Sequence, residues 1–274
     1  MKYNDIPMKI LKSNDLKSQL ESRGFTENDI DEFVPDAPRI GMVVAVEMSA
    51  IKNRLGYADD VFEHPGFTVY YYDLNRVCKG QDRPGGLYII KCGAGEINAA
   101  MATQFLIMRY FVDVVLNFGV AGGLGQDVPL NKVFIIDRII HHTFDCSELG
   151  PAFPAGKHAE YDSSMLVTDR TLVELAEQVT GMPRGVCASG DMFVGSAERR
   201  ESLRDQFGAD VAEMEAAGIF MTADRNGVPS LFIKAVSDTV GTEPGCVMAN
   251  YELASDLCFR AMHQVIQALY TYAG

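Results

Sequence analysis

Positive charge is scarce in this chain. Its 274 residues hold 24 Lys and Arg against 37 Asp and Glu, a formal net charge of −13. Non-specific nucleic-acid binding and attachment to an anionic membrane surface both need clustered cations, so neither is expected. A neutral small ligand stays open. Paired cysteine spacing is missing too. Cys78, Cys92, Cys146, Cys187, Cys246 and Cys258 form no C-x-x-C pair, which fits reduced thiols better than a disulfide framework or a zinc site. His141 and His142 have no His or Cys partner at metal spacing, so packing or surface roles are expected of them, and no metal or organic cofactor. No apolar run reaches the roughly 18 residues of a membrane span. The first residues, MKYNDIPMKILKSNDLKSQL, lack the apolar core of a signal peptide. A cytoplasmic location is expected. Internal repeats and low-complexity linkers are also lacking.

What is present is a chain rich enough in apolar residues, at 47%, to pack a core. Residues 1–38 read as a helical extension. "SNDLKSQLESRG" and "TENDIDEFV" look like two short helices capped by Ser13 or Asn14 and by Thr26. Residues 39–274 then alternate. "RIGMVVAV", "FTVYYYDL", "GLYIIKC", "VDVVLNFG", "KVFIIDRII", "RGVCAS" and "SLFIKAVSD" are strand-like. Helices are expected up to Gly56 and over 96–111, 169–180, 196–207, 214–225 and 249–272. On 96–111, Ile97, Met101, Phe105 and Met108 recur at helical spacing. Such alternation predicts one α/β domain around a largely parallel or mixed sheet.

Ligands of such sheets bind beyond the carboxyl ends of the strands. Asp238 ends an apolar strand there. A carboxyl group in a partly dry pocket holds its proton to higher pH, which a general acid needs; a helix cap or loop turn is the plainer alternative. Glu215 opens a helix whose next residues, Ala216, Ala217 and Gly218, are small. A carboxylate there is favoured by the helix dipole and can accept two hydroxyls of a sugar. An exposed first-turn Glu is the alternative. "NFGVAGGLG" allows close approach to the backbone, or makes a tight turn. "KCGAGEINAA" contains G-x-G-x-x-N, without the third glycine of a dinucleotide fingerprint.

Taken in order, "GVAGGL", "ASGDMFV", "VAEMEAAGIF" and "KAVSDTVG" resemble the nucleoside phosphorylase and nucleosidase superfamily, most closely the 5′-methylthioadenosine/S-adenosylhomocysteine nucleosidases. The resemblance covers roughly residues 39–272. It implies a single-domain three-layer α/β/α fold with a central mixed, partly barrel-like sheet. It implies that Asp238 protonates the purine at N7 and that Glu215 binds the ribose hydroxyls. Met214 would pack beside the sugar, Phe193 on the purine, and the Val194 backbone would pair with the base. Gly122, Glu213 and Ser237 would line the site. A homodimer is implied as well, with residues 141–162 lining the 5′ group partly against a second subunit.

Departures cluster where the nucleophile should lie. The family's A-M-E-E-E, whose last Glu holds the attacking water, reads Ala45-Val46-Glu47-Met48-Ser49, so Ser49 takes the water-holding position. Val120 stands where Ser is usual and Lys234 where Arg is usual. Three readings follow: hydrolysis with Glu47 or Glu213 positioning water; phosphorolysis, for which Lys234 is the one obvious cation and Asn117 replaces the Arg of hexameric phosphorylases; or nucleoside binding with little turnover.

Overall fold

A computed structural model describes residues 38–79, 85–239 and 244–272. The expected extension over residues 1–38 lies, but for Pro38, outside them. Strand β1 (Arg39–Val44) is buried at all six positions, which marks a central strand. It runs parallel to β4 (Gly86–Lys91) on one side and β5 (Val114–Gly123) on the other. Beyond β4 the sheet continues antiparallel through β3 (Phe67–Asp73) to β2 (Asp60–His64).

The other half closes on itself. β5 pairs with β10 (Ser230–Asp238), β10 with β6 (Val133–His141), and β6 with β8 (Arg184–Ser189). β8 pairs with the short β9 (Val211–Glu213), which returns to Gly122 and Gly123 of β5. The ten residues of β5 make this possible: its first half lies beside β1, its last two residues beside β9. β7 (Met165–Val167) adds to β6. The sheet is therefore mixed and partly closed as a barrel, as expected.

Helices cover both faces. α1 (Met48–Leu55), α2 (Leu74–Cys78), α4 (Arg170–Thr180) and α7 (Pro244–Tyr272) contribute to one apolar layer with Leu116, Phe118 and Ile233. α3 (Glu96–Tyr110) and α6 (Ala216–Arg225) contribute to the other with Val43, Val115 and Phe232. α5 (Ala197–Phe207) sends Leu203 into a third, smaller cluster with Ile140 and Val186. Asp169 and Ser196 cap α4 and α5 by accepting the N–H groups of Leu172 (2.9 Å) and Arg199 (3.3 Å).

α3 turns its faces in an unexpected sense. Ala99, Ala102, Thr103 and Leu106 face the core. The large apolar residues Ile97, Met101 and Met108 are 71%, 55% and 64% exposed. On α7, Ala261, Val265 and Leu269 share a buried face, whereas Leu253, at the same helical spacing, faces outward.

Candidate active site

The carboxyl ends of β5, β8, β9 and β10, with the turn after β1, gather the polar residues that the core excludes. Asp238 ends β10 opposite Gly122, just past an irregularity in register at Val236. It is buried and ion-paired with Arg200 of α5, whose Nη2 donates to Oδ2. Ser237 Oγ donates to Oδ1 at 2.9 Å. A lone carboxyl in a dry pocket is thus corrected to one half of a buried ion pair. Arg200 reaches further, donating from Nε to the Val194 carbonyl (3.1 Å) and from Nη1 to the Gly123 carbonyl (2.9 Å). With Oδ2 held by the guanidinium, Oδ1 is left to the Ser237 hydroxyl, which also lies 3.5 Å from the Ala121 carbonyl.

Glu215 sits immediately before α6, buried, its Oε1 accepting from the Gly95 N–H at 2.9 Å. Gly95 has φ 108°, a conformation that side chains disfavour, and this aims its N–H at the carboxylate. Burial first, then the charge of Glu213, push the Glu215 carboxyl up to about 7, against the pull of Lys234 and the Gly95 bond. Met214 is half-buried next to it.

Glu213 and Lys234 form the floor, with Lys234 Nζ 2.6 Å from Glu213 Oε2 and both side chains almost fully enclosed. Glu213 also accepts the N–H groups of Glu215 (3.2 Å) and Ala216 (3.1 Å). Burial alone would raise its carboxyl, but Lys234 outweighs that and holds it below the usual range. Burial works against the Lys234 ammonium; Glu213 and Glu215 more than offset it, and the net shift is upward. Glu213 therefore braces the site from within the protein.

Ser49, placed at the water-holding position by the motif, is exposed on the first turn of α1. The buried carboxylate at this corner is Glu47. Its Oε2 accepts from the Val46 N–H (2.9 Å) and its Oε1 from the half-buried Val120 (3.3 Å). Gly119 makes room: a Cβ there would stand 3.0 Å from Glu47 Oε1 and 3.5 Å from Lys234 Nζ. Phe193 is 65% exposed at the rim, and Val194 behind it is buried. Asn117 donates to the Val43 carbonyl at 2.9 Å.

Two residues missed in the sequence belong here. Arg200 is one. The other is Glu96, whose carboxyl accepts from Ser189 Oγ at 2.5 Å and from the Gly218 N–H. Burial and Glu213 push it up to about 8, against those two hydrogen bonds. Its only sequence signal is an acidic residue in the first turn of a helix. The histidines pack: His141 Nδ1 lies 3.0 Å from His158 Nε2, and Phe144 stacks on His158. Among the described residues, no group of three or more His, Cys, Asp or Glu is placed to hold a metal ion, and no helix is long and apolar enough to cross a membrane. A cavity of about 470 Å³ lies between α5 and the segment after β6, lined by His142, Asp145, Ser196 and Arg199 among others.

Known proteins are similar to this chain in sequence and in fold. The family model described as the phosphorylase superfamily matches residues 40–267. A 5′-methylthioadenosine/S-adenosylhomocysteine nucleosidase of Geobacillus sp. (strain WCH70) is 35% identical over 164 residues, 57% of this chain and 68% of that protein. One from Anoxybacillus flavithermus (strain DSM 21510 / WK1) is 34% identical over the same length, shares and all. Among solved structures, the futalosine hydrolase of Helicobacter pylori strain 26695, in a mutant form, superposes with a TM-score of 0.76 at 24% identity, over 85% of this chain and 100% of that one. The 5′-methylthioadenosine/S-adenosyl homocysteine nucleosidase of Helicobacter pylori, in complex with a substituted pyrrolidin-3-ol, gives 0.76 at 23% identity, over 85% and 99%. At such identities the structures speak for the fold alone. With a family model spanning most of its length and curated relatives above 30% identity, the chain belongs to the phosphorylase superfamily.

Proposed function

We propose that this protein is a purine nucleosidase. It hydrolyses the N-glycosidic bond of a 5′-modified adenosine such as methylthioadenosine or S-adenosylhomocysteine, the substrates named for its curated relatives. Glu215 takes the ribose hydroxyls, Phe193 covers the purine and Met214 packs beside the sugar. Asp238 gives a proton to N7 as the C1′–N9 electrons pass to the base. Water adds to C1′ on the opposite face, and Glu47 takes the proton that it releases. The oxocarbenium-like centre forms among carboxylates that stabilise positive charge.

The observation that carries this reading is the state of the two buried cations bordering the site. Lys234 is paired with Glu213 and Arg200 with Asp238. A phosphate dianion needs unclaimed guanidinium or ammonium groups. Here both cations are already matched by buried carboxylates, so a dianion gains no net attraction from them, whereas neutral water needs none. We propose further that the enzyme works as a cytoplasmic homodimer, supported by the apolar ridge Ile97, Met101 and Met108 on the outer face of α3.

The test is a panel of purine nucleosides, with and without phosphate, assayed for free base and for free or phosphorylated sugar. Base and free sugar without phosphate are expected. Strict phosphate dependence, or tight binding with no base released, would each overturn the hydrolytic reading.

A further inference from the structure

Two helix starts face each other across the candidate site and exchange carboxyl groups. The first N–H groups of any helix lack partners within it, and carboxylates satisfy them while meeting the positive end of the dipole. Here each partner comes from the other helix. Glu96, first residue of α3, sends its carboxyl into the first turn of α6, where Oε2 takes the Gly218 N–H. Glu215, last residue before α6, sends its carboxylate back to the Gly95 N–H before α3. Ser189 locks the crossing: its Oγ sits 2.5 Å from Glu96 Oε1 and accepts the Ala217 N–H at 3.0 Å. Asp191 Oδ1 completes it by accepting the Glu96 N–H at 2.8 Å. The contact is close. A Cβ on Gly218 would stand 2.5 Å from the Glu96 carbonyl oxygen and 2.7 Å from its Oε2.

We propose that Glu96 is a positioning residue for ribose recognition: by clamping the first turn of α6 to the start of α3, it fixes where the Glu215 carboxylate meets the sugar. This rests on the assignment of Glu215 to the ribose hydroxyls. Glu215 is followed directly by the turn that Glu96 holds, so a shift of that turn carries Glu215 with it. A misplacement of about 1 Å is enough to cost a large factor in a site that works by orientation. Glu96 itself faces inward, 6% exposed. Its protonated form suits the role, because Oε1–H can donate to Ser189 while the Ser189 hydroxyl turns to Glu213, its other carboxyl neighbour. The clamp then adds no second negative charge beside Glu215.

The experiment compares kcat and KM for 5′-methylthioadenosine and its 2′-deoxy analogue in the wild type and in Glu96→Gln, Ser189→Ala and Glu215→Gln. Glutamine keeps the size of Glu96 but turns an amide N–H toward Ser189 or Gly218. The preference for the riboside in kcat/KM is expected to fall roughly tenfold in Glu96→Gln, carried mainly by KM. Ser189→Ala should move it in the same direction, and it serves as the test should Glu96→Gln fail to fold. Loss of the preference in Glu215→Gln, with both clamp variants within twofold of wild type, would overturn the clamp and leave the nucleosidase reading standing. An unchanged preference in Glu215→Gln would overturn the ribose assignment and the clamp together. A fall in melting temperature without any change in preference would reduce Glu96 to a structural residue and overturn the proposal.

Discussion

In the proposed reaction Asp238 gives up a proton while a guanidinium holds one of its oxygens. Oδ2 anchors it through Arg200 to the Val194 and Gly123 carbonyls, which leaves Oδ1, beside Ser237, for that step. Asn in its place keeps an oxygen for Arg200 but has no transferable proton. Asp238→Asn is therefore expected to lower turnover at least about 10²-fold while nucleoside binding persists. Equilibrium binding beside single-turnover rates would check this, and turnover within a few-fold of wild type would remove Asp238 as the acid. Asp238 and Glu215 could be singled out in the sequence because one ends an apolar strand and the other opens a helix of small residues. Arg200 and Glu96 could not. Both lie on helices, and which way a helical side chain points toward another element depends on packing that a single sequence does not display. Glu47 and Ser49 were both candidates in the sequence; that Glu47 is buried and Ser49 exposed depends on the direction in which the turn throws them, which the motif's order of residues does not give.

At the level of elements, the strand and helix alternation was readable from hydrophobic period, and observed boundaries differ by a few residues. Strands β2, β7 and β9 and the short helix α2 were not read from it. β9 has three residues, the last of them Glu213, too few for a period to register. Barrel closure depends on it, because β9 meets only the last two residues of β5. The pairing of α3 with α6 carries a pH signature. Glu96 and Glu215 are raised to about 8 and about 7 from a usual 4.5. A carboxyl raised on folding binds its proton more tightly in the folded state. Its stabilisation is full below pH 4.5 and is lost as pH rises through 7 and then 8. Glu213, shifted downward, acts in the opposite sense and below that window. The melting temperature should therefore fall between pH 5 and pH 8, and Glu96→Gln should flatten the decline. Parallel melting curves for variant and wild type over this range would show that the clamp does not titrate as described.

For the molecule as a whole, the net charge of −13 and the apolar ridge on α3 pull in different directions. Like charge keeps copies of the chain apart, and a row of large apolar side chains in water draws them together. Ile97, Met101 and Met108 follow helical spacing, yet the core takes the small face of α3 and leaves this one outside. Small residues let α3 and α6 approach closely enough to trade carboxyl groups, so the geometry of the site explains why the large ones are displaced to the surface. A second copy covering them would rest on the helix that begins with Gly95 and Glu96, and would stiffen the start from which Glu215 is held. The wild type is expected to sediment at about twice its chain mass of 30.1 kDa. Met101→Glu puts a charge in the middle of the ridge, where burial against a partner is costly, and should sediment as a single chain. Its riboside preference should weaken in the same direction as that of Glu96→Gln, because both loosen the start of α3. A wild type that sediments as a monomer at micromolar concentration would refute the dimer, and a monomeric variant with unaltered kinetics would separate the ridge from the site.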